Sequence, residues 1–404
     1  MTKKSDTPAI RFKGFTDTWE QRKAKELFVS TADKGYPELP VLSATQDRGM
    51  IRRDENSINI FHDKKNEAGY KRVLPGQFVI HLRSFQGGFA HSTIEGITSP
   101  AYTVFGFSEP EKHDSEYWKY VFTSKSFIRR LETVTYGIRD GRSISYEEFL
   151  TLGFVYPSKA EQKAIARYLD KLSDLITLHQ RKYDKLTNVK KSMLEKMFPK
   201  NGSNVPEIRF KGFTEAWEQR KAIDIADYSK GNGYSKGDLT DAGTPIILYG
   251  RLYTKYQFAI SEVDTFAVPR NGAVYSQGNE VIVPASGETA EDIARASAVE
   301  KSGVLLGGDL NILRPFDFIN PLFLALAISN GEPQKELAKK AQGKSVVHIH
   351  NTDIQEVTIA YPSRTEQDRI VSVFRQLDNL ITLHQRELEK LKNLKKACLE
   401  KMFV

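Results

Sequence analysis

The sequence predicts an α+β fold in which two mixed α/β domains, related by pseudo-two-fold symmetry, are separated by two long helices packed as an antiparallel coiled coil. Three observations predict this fold: a framework segment occurs twice, a heptad-patterned segment follows each region in between, and those regions contain short β-rich runs broken by Gly, Pro and Asn. The chain of 404 residues is also longer than one hydrophobic core usually sustains. The predicted divisions are a framework segment at 1–19, a variable domain at 20–158, a helix at 159–198, a linker with the framework repeat at 199–217, a variable domain at 218–363 and a helix at 364–404.

The framework repeat has two parts. PAIRFKGFTDTWEQRKA at 8–24 returns as PEIRFKGFTEAWEQRKA at 206–222, identical at 14 of 17 positions. The segment 156–198 returns without a gap at 361–403, identical at 24 of 43 positions. A period near 200 residues excludes a solenoid of short repeats. The two copies of the framework are alike, which indicates that they contact the same partner or each other. The regions between them are unlike, which implies two different ligands.

The second part of the framework carries a heptad seam of mainly apolar residues, which predicts a helix of about 33 to 38 residues. Ser158 stands three residues before Glu161, as Ser363 does before Glu366, and this spacing predicts a capping box at each helix start. Two such helices would bury their seams against each other, and an antiparallel pairing would make helix length set the spacing of the variable domains. The predicted helix-interface residues are Ile165, Leu169, Leu172, Ile176, His179, Leu186, Ile370, Phe374, Leu377, Ile381, His384 and Leu391.

Two seam histidines, His179 and His384, occupy equivalent positions. A metal site needs a third and a fourth ligand, and none stands nearby in the sequence, so we interpret them as polar residues that fix the register. The outer face of the first helix is rich in lysine. That face is either solvated or contacts a polyanion or an acidic partner, and the sequence leaves both readings open.

Charge and cysteine content exclude several classes of protein. The net charge of +8 is concentrated in the helices, since 159–200 has 11 basic and 5 acidic residues and 364–404 has 9 and 6. The single cysteine, Cys398, excludes a disulfide scaffold and a cysteine-ligated zinc site. The sequence shows neither an apolar leader nor a run of 18 apolar residues, so we expect a cytoplasmic protein that does not enter a membrane.

The variable domains contain the runs PELPVLSAT, QFVIHL and AYTVFGF, and then TPIILYG, TFAVP, EVIVPAS and NILRPF, which predict strands. Polar and basic residues on the loops between them suit phosphates and base edges, and each domain ends in a Gly-basic-Ser step that would let the backbone approach a phosphate. Solvated loops are the alternative reading for any single residue. The predicted DNA-binding residues are Gln46, Arg48, Arg52, Arg53, Lys64, Lys65, Arg83, Ser84, Gln86, Arg142, Ser143, Arg251, Tyr253, Lys255, Gln277, Ser286, Glu288, Thr289, Lys344 and Ser345.

The sequence offers no convincing catalytic motif. Residues 338–345 fit a loose phosphate-loop pattern, but a predicted helix precedes the loop and a predicted strand follows it, the reverse of the order that binds phosphate. His348 and His350 alternate on a predicted strand without a third ligand, which favours a structural or DNA-facing role over a metal site. We expect neither catalytic residues nor a bound metal.

The framework has features of a known family. Each helix segment begins YPS…EQ…I, shares LITLHQR at 175–181 and 380–386, and ends KMF, and the two copies flank unlike domains. This architecture resembles the specificity subunit of a Type I restriction-modification system over essentially the whole chain. Residues 283–297, VPASGETAEDIARAS, are also similar to target-recognition domains of that family.

The resemblance implies a function. Each target-recognition domain would read one half of an asymmetric bipartite target in double-stranded DNA, and the helices would set the gap. The implied partners are two modification subunits, which methylate adenine N6, and optionally two restriction subunits that translocate and cleave DNA. The resemblance places S-adenosylmethionine, ATP and Mg in those partners, with no cofactor and no catalysis in this chain. Two other classes stay open: a non-catalytic coiled-coil adaptor that binds proteins, and a self-contained methyltransferase or nuclease.

Overall fold

The computed structural model describes residues 7–45, 47–56, 64–81, 88–132, 145–200, 202–343 and 346–404. The chain forms two compact units, one made of 1–180 with 386–404 and the other of 181–385. Each unit therefore contains one variable domain and a part of each long helix. The predicted domain boundaries follow the helix ends instead, and they stay a prediction.

The first unit contains short strands and helices followed by the first long helix. Its strands are β1 (Glu20–Lys23), β2 (Phe28–Thr31), β3 (Leu42–Ala44), β4 (Met50–Arg52), β5 (Lys71–Val73), β6 (Phe78–Ile80), β7 (Phe89–His91), β8 (Gly96–Thr98), β9 (Thr103–Phe107) and β10 (Gly153–Tyr156). Its helices are α1 (Ala24–Leu27), α2 (Ser115–Thr123), α3 (Lys125–Glu132), α4 (Tyr146–Thr151) and, up to residue 180, α5 (Lys159–Lys196), with 3-10 turns at Arg53–Glu55, Lys64–Gly69 and Pro110–Lys112.

An antiparallel sheet in the order β2-β9-β6-β7 organises this unit, and the antiparallel pairs β1–β10, β3–β4 and β5–β8 form separate two-stranded sheets. Phe28 of β2 lies at the centre of an aromatic core, with ring centroids 5.5 Å from Phe105 and 5.2 Å from Trp118. Helix α2 carries Trp118, and its N-cap Asp114 accepts a hydrogen bond from the N–H of Tyr117. The cap fixes where α2 begins and so where its aromatic face meets the sheet.

The second unit is built differently. Its strands are β11 (Glu218–Lys221), β12 (Ala226–Lys230), β13 (Leu239–Thr240), β14 (Thr244–Ile247), β15 (Ala259–Ile260), β16 (Phe266–Ala267), β17 (Tyr275–Gln277), β18 (Glu280–Pro284), β19 (Ser286–Gly287), β20 (Ser297–Val299), β21 (Ser302–Leu306), β22 (Leu310–Pro315), β23 (Val347–His348) and β24 (Thr358–Tyr361). Its helices are α6 (Arg251–Thr254), α7 (Ala290–Ile293), α8 (Pro321–Ile328), α9 (Gly331–Lys340), α10 (Asn351–Gln355) and, up to residue 385, α11 (Arg364–Lys401), with 3-10 turns at Ala222–Asp224 and Lys236–Asp238.

Two mixed sheets organise the second unit, in the orders β12-β22-β18-β20-β15 and β13-β16-β14-β21-β17. The pairs β15–β20 and β14–β21 are parallel and the other pairs are antiparallel. The apolar helix α8 packs on β18 and β20, where Phe323 joins a core that also contains Val281, Leu313 and Phe374. The strand runs predicted in both domains are present, but the two domains have different sheet topologies.

Both long helices are confirmed at 38 residues each. The first unit combines the beginning of α5 with the end of α11, and the second unit combines the end of α5 with the beginning of α11. The helices are therefore antiparallel where they meet in each unit, and the predicted α+β fold class is confirmed.

Candidate DNA interface

A buried ion pair joins the two parts of the framework in each unit. Arg11 donates to both carboxylate oxygens of Glu161 at 2.7 and 2.8 Å, and Arg209 donates to both of Glu366 at 2.8 Å. The glutamates are 1 % exposed, and these hydrogen bonds raise the pKa of Arg11 and of Arg209. The carboxylate predicted to close a capping box thus binds the first framework segment instead.

The glutamine that follows each glutamate docks the variable domain. Gln162 Oε1 accepts from the N–H of Asp114 at 2.9 Å, and Gln367 Oε1 accepts from the N–H of Asn320 at 2.7 Å. Asp114 and Asn320 are the N-caps of α2 and α8, the first helices after the main strands of each domain. Each glutamine also donates from Nε2 to the carbonyl of the proline that precedes the long helix, at 2.9 Å in both units. Two unlike domains are therefore held by the same contact.

Backbone contacts repeat in the same way. Strand β1 pairs antiparallel with β10, and β11 pairs with β24 in the same register relative to the framework. The N–H of Ile10 donates to the carbonyl of Lys401 at 3.0 Å, and the N–H of Ile208 donates to that of Lys196 at 2.9 Å. The first framework segment of each unit thus reaches the C-terminal end of a long helix.

The predicted helix-interface residues are buried or half-buried. Ile165, Leu169 and Leu172 belong to the core of the first unit, and Ile370 and Phe374 to that of the second, so these five pack on a variable domain as well as along the seam. The half-buried members are Ile176, His179, Leu186, Leu377, Ile381, His384 and Leu391.

Lysines bridge the helices at equivalent seam positions. Lys190 Nζ lies 2.5 Å from Asp378 Oδ1 in the second unit, and Lys395 Nζ donates to Ser173 Oγ at 2.8 Å in the first. Lys190 and Lys395 occupy matching places in the repeat, as do Ser173 and Asp378. Both contacts tie α5 to α11 inside a unit.

Three described DNA candidates of the first domain lie around the hairpin β3–β4. Arg48 is exposed in its turn, where Thr45 Oγ1 accepts from the Arg48 N–H at 3.1 Å. Arg52, at the end of β4, lies 3.4 Å from Asp54, and both side chains are exposed. Arg53 is half-buried, with its N–H bonded to the carbonyl of Val41. Of these three, Arg48 and Arg52 present a guanidinium to solvent.

Lys64 and Lys65 are exposed on the 3-10 turn Lys64–Gly69. Eight further candidates lie outside the described residues. They are Gln46, Arg83, Ser84, Gln86, Arg142, Ser143, Lys344 and Ser345.

In the second domain, two predicted DNA-binding side chains pair with one carboxylate. Arg251 lies 2.6 Å from Asp264 and also donates to Gln257 and to the carbonyl of Glu262, and its side chain is 9 % exposed. Lys255 lies 2.6 Å from the other oxygen of Asp264. The two cations hold the pKa of Asp264 well below its usual range. Arg251 therefore stabilises the loop, and only Lys255 is exposed.

Other candidates of this domain converge on the short ribbon β19–β23. Tyr253 donates from its hydroxyl to the carbonyl of Ser286 at 2.6 Å. Thr289 caps α7 by accepting from the N–H of Asp292, and Glu288 is exposed beside it. Gln277 is not part of this group, because its N–H bonds Glu280 at the far end of β18. The structure thus brings together four of the predicted residues and separates the fifth.

His348 lies on this ribbon; its alternation with His350 favoured a structural or DNA-facing role, although it is not among the predicted DNA-binding residues. Strand β23 pairs with β19 in the register Ser286↔His348, and Ser286 Oγ lies 3.2 Å from His348 Nδ1. Ser286 is buried whereas His348 is exposed. The signal that could have identified it was the alternation of His348 and His350, but His350 instead begins α10 as its N-cap.

Neither a metal site nor a membrane span is found in the described part of the chain. Its His, Cys, Asp and Glu side chains form no group of three that could hold a metal ion. None of its helices combines the length and the apolarity that crossing a bilayer requires.

Comparison with known proteins points to one family. Residues 214–393 match the family model described as the Type I restriction modification DNA specificity domain. The chain is 22 % identical over 256 residues to the Type I restriction enzyme MjaVIII specificity subunit of Methanocaldococcus jannaschii, a match that covers 59 % of this chain and 58 % of that protein. The chain thus spans less than two thirds of that relative's length.

One solved structure shows the same fold. The S subunit of a Type I restriction-modification system from M. genitalium superposes with a TM-score of 0.56 at 16 % identity, over 98 % of this chain and 99 % of that one. The HsdS subunit of Thermoanaerobacter tengcongensis gives a TM-score of 0.46 at 15 % identity, over 95 % of this chain and 96 % of that one.

Proposed function

We propose that this chain, which belongs to the family of Type I restriction-modification specificity subunits, reads a bipartite DNA target and assembles the subunits that act on it. In this proposal the domain at 20–158 recognises one half of the target and the domain at 218–363 recognises the other. The chain itself carries no catalytic residue, and the methyl group of S-adenosylmethionine is transferred by a partner.

One observation carries the proposal: two domains of different topology are held by the same framework contacts. Gln162 and Gln367 each accept from the N-cap of a domain helix, and Glu161 and Glu366 each bind a framework arginine. A shared frame with unlike inserts suits a protein that brings one kind of partner to two different half-sites. The antiparallel packing of α5 and α11 supports a further part of the proposal, that helix length sets the gap between the half-sites.

The partners follow from the family. We propose two modification subunits, each an adenine N6 methyltransferase, and optionally two restriction subunits that use ATP and Mg. The near-neutral charge of the variable domains supports a role for the partners in phosphate binding, because sequence-independent affinity grows with the number of phosphates neutralised.

The experiment is to express the chain with its neighbouring modification subunit in a host without DNA methylation and to map N6-methyladenine by single-molecule sequencing. We expect a motif with two specific halves and a fixed gap of unspecified bases. An assembled complex that adds no methyl groups would refute the proposal and favour the coiled-coil adaptor. Methylation by the chain alone would favour the self-contained enzyme.

A further inference from the structure

The side chain of His348 is presented by a rigid ribbon. Its N–H donates to the carbonyl of Gln342 at 2.8 Å, and its carbonyl accepts from the Gln342 N–H at 3.1 Å. The next residue is held as well, because the N–H of Ile349 donates to the carbonyl of Ala285 at 3.0 Å and the buried Asn311 donates to the Ile349 carbonyl at 2.9 Å. Hydrogen bonds on both sides therefore fix the backbone at this position.

The backbone of β19, the strand that pairs with β23, is held in place by Tyr253. Tyr253 donates to the carbonyl of Ser286, and a Cβ on Gly287 would lie 2.8 Å from the Tyr253 hydroxyl, so a side chain at 287 would have to displace that hydroxyl. Burial raises the pKa of Tyr253, which keeps its hydroxyl protonated as a donor. The guanidinium of Arg295 lies over the Tyr253 ring, 5.6 Å from its centroid. Ser286 consequently has little freedom to move away from His348.

The hydrogen bond between Ser286 Oγ and His348 Nδ1 orients an exposed ring through a buried hydroxyl. When the hydroxyl donates to Nδ1, the proton of the neutral imidazole is on Nε2, at the opposite edge of the ring. Direct readout of DNA needs donors that are held in place before the base arrives, and the major groove presents purine N7 as an acceptor.

We propose that His348 reads one base pair of the half-site bound by residues 218–363, donating from Nε2 to the N7 of a purine, and that Ser286 is the positioning residue for its ring. This inference rests on the proposed function and adds a residue, an atom and a base edge to it. His348 is thus a specificity-determining residue, and Tyr253 supports it through the β19 backbone.

The test uses the full chain assembled with its modification subunit. In His348→Ala and in His348→Phe, which keeps a ring, we expect the methylated motif to lose preference at one position of one half-site while the other half is unchanged. Ser286→Ala should relax the same position to a smaller extent. His350→Asn is the matched control, because it removes a neighbouring imidazole but leaves a good N-cap, and its motif should equal that of the unmodified chain.

A binding measurement identifies the atom. Duplexes in which 7-deazapurine replaces one purine at a time should bind the unmodified complex about 3- to 10-fold more weakly at a single position, and that loss should vanish in His348→Phe. A motif unchanged in both His348 variants, or an equal 7-deazapurine loss with and without the imidazole, would overturn the inference alone. An unmodified complex without any bipartite motif would overturn the proposed function and this inference with it.

Discussion

Lys119 Nζ lies 2.8 Å from Asp170 Oδ1, so a cation of the first variable domain meets an anion on α5. The equivalent of Asp170 in the second copy is Arg375 of α11, and it pairs with Glu300 of the second variable domain. The polarity of the contact between domain and helix is therefore reversed between the two units. Burial alone would lower the pKa of Lys119, but its hydrogen bonds to Asp170 and Glu116 raise it overall.

The reversed polarity predicts that the charges of each variable domain complement those of the helix segment that it contacts. Asp170→Arg should lower the free energy of unfolding of the first unit by about 1 to 2 kcal/mol, since a partly exposed pair is lost and a like charge is added. Lys119→Glu combined with Asp170→Arg should recover most of that loss. Urea unfolding followed by Trp118 fluorescence measures both. Lys125→Glu is the control and should have little effect, because the pair of Lys125 with Glu400 is exposed on the surface. Equal stability of the single and double variants would contradict the prediction.

Loss of the framework ion pair between Arg209 and Glu366 should lower the free energy of unfolding more than loss of the Lys119–Asp170 pair does. Glu366→Ala should destabilise the second unit by about 3 to 5 kcal/mol, because it leaves the mostly buried guanidinium of Arg209 without its partner. Replacing both residues, as Arg209→Met with Glu366→Leu, should cost less than the single change, since no unpaired charge remains. Hydrogen exchange measured by mass spectrometry on residues 206–222 and 358–370 locates the effect. A double variant less stable than Glu366→Ala would show that the pair contributes more than charge compensation.

The sequence predicted the two long helices well, because the pattern that indicates a helix is formed by residues close together in the chain. The spacing of Ile165, Leu169 and Leu172 determines which face is buried, and the duplication shows it twice. The role of Glu161 was predicted wrongly, because Ser158 three residues earlier suggested a local cap whereas Arg11 lies 150 residues away in sequence. The same limit applies to Arg251: its basic character indicated a DNA contact, but the position of Asp264 depends on tertiary structure.

The seam predicts unequal effects for two equivalent leucines. Leu172 lies in the aromatic core of the first unit and is 4 % exposed, whereas Leu377 is half-buried beside the core of the second. Leu172→Lys should therefore cost several kcal/mol and abolish partner assembly, and Leu377→Lys should cost about half as much. Thermal unfolding and size-exclusion chromatography with the modification subunit measure these effects. Leu178→Lys, at an exposed position of α5, is the control and should leave both unchanged. Equal losses at 172 and 377 would contradict the inferred packing.

His113 predicts a loss of stability in acid. Its ring stacks on Phe107 with centroids 4.8 Å apart, and burial lowers the pKa of His113 to about 4. In the unfolded chain His113 has a pKa near 6.5 and binds a proton that the folded chain excludes. The contribution of His113 to the free energy of unfolding is therefore complete above pH 6.5 and falls progressively towards pH 4, by at most about 3 kcal/mol. Urea unfolding at pH 7.5, 6.0 and 5.0 measures the slope. His113→Phe should reduce this dependence of stability on pH. A part of the slope, with the same sign, should remain in that variant, because burial also lowers the pKa of His91. The same decline in His113→Phe and in the unmodified chain would contradict the assignment.

If helix length sets the gap, shortening both helices together should move the half-sites closer. Deleting 179–185 from α5 and 384–390 from α11 removes one heptad from each, which keeps the seam on the same face and retains both Lys190–Asp378 and Lys395–Ser173. Seven residues span about 10 Å of helix, which corresponds to at most about three base pairs of B-form DNA. We expect the map of N6-methyladenine to show a shorter gap and two unchanged halves. Deleting 179–185 alone is the control, because it moves Lys190 out of register with Asp378 and should weaken assembly. An assembled complex with both deletions and an unchanged gap would show that the helices hold the domains together without setting the distance between the half-sites.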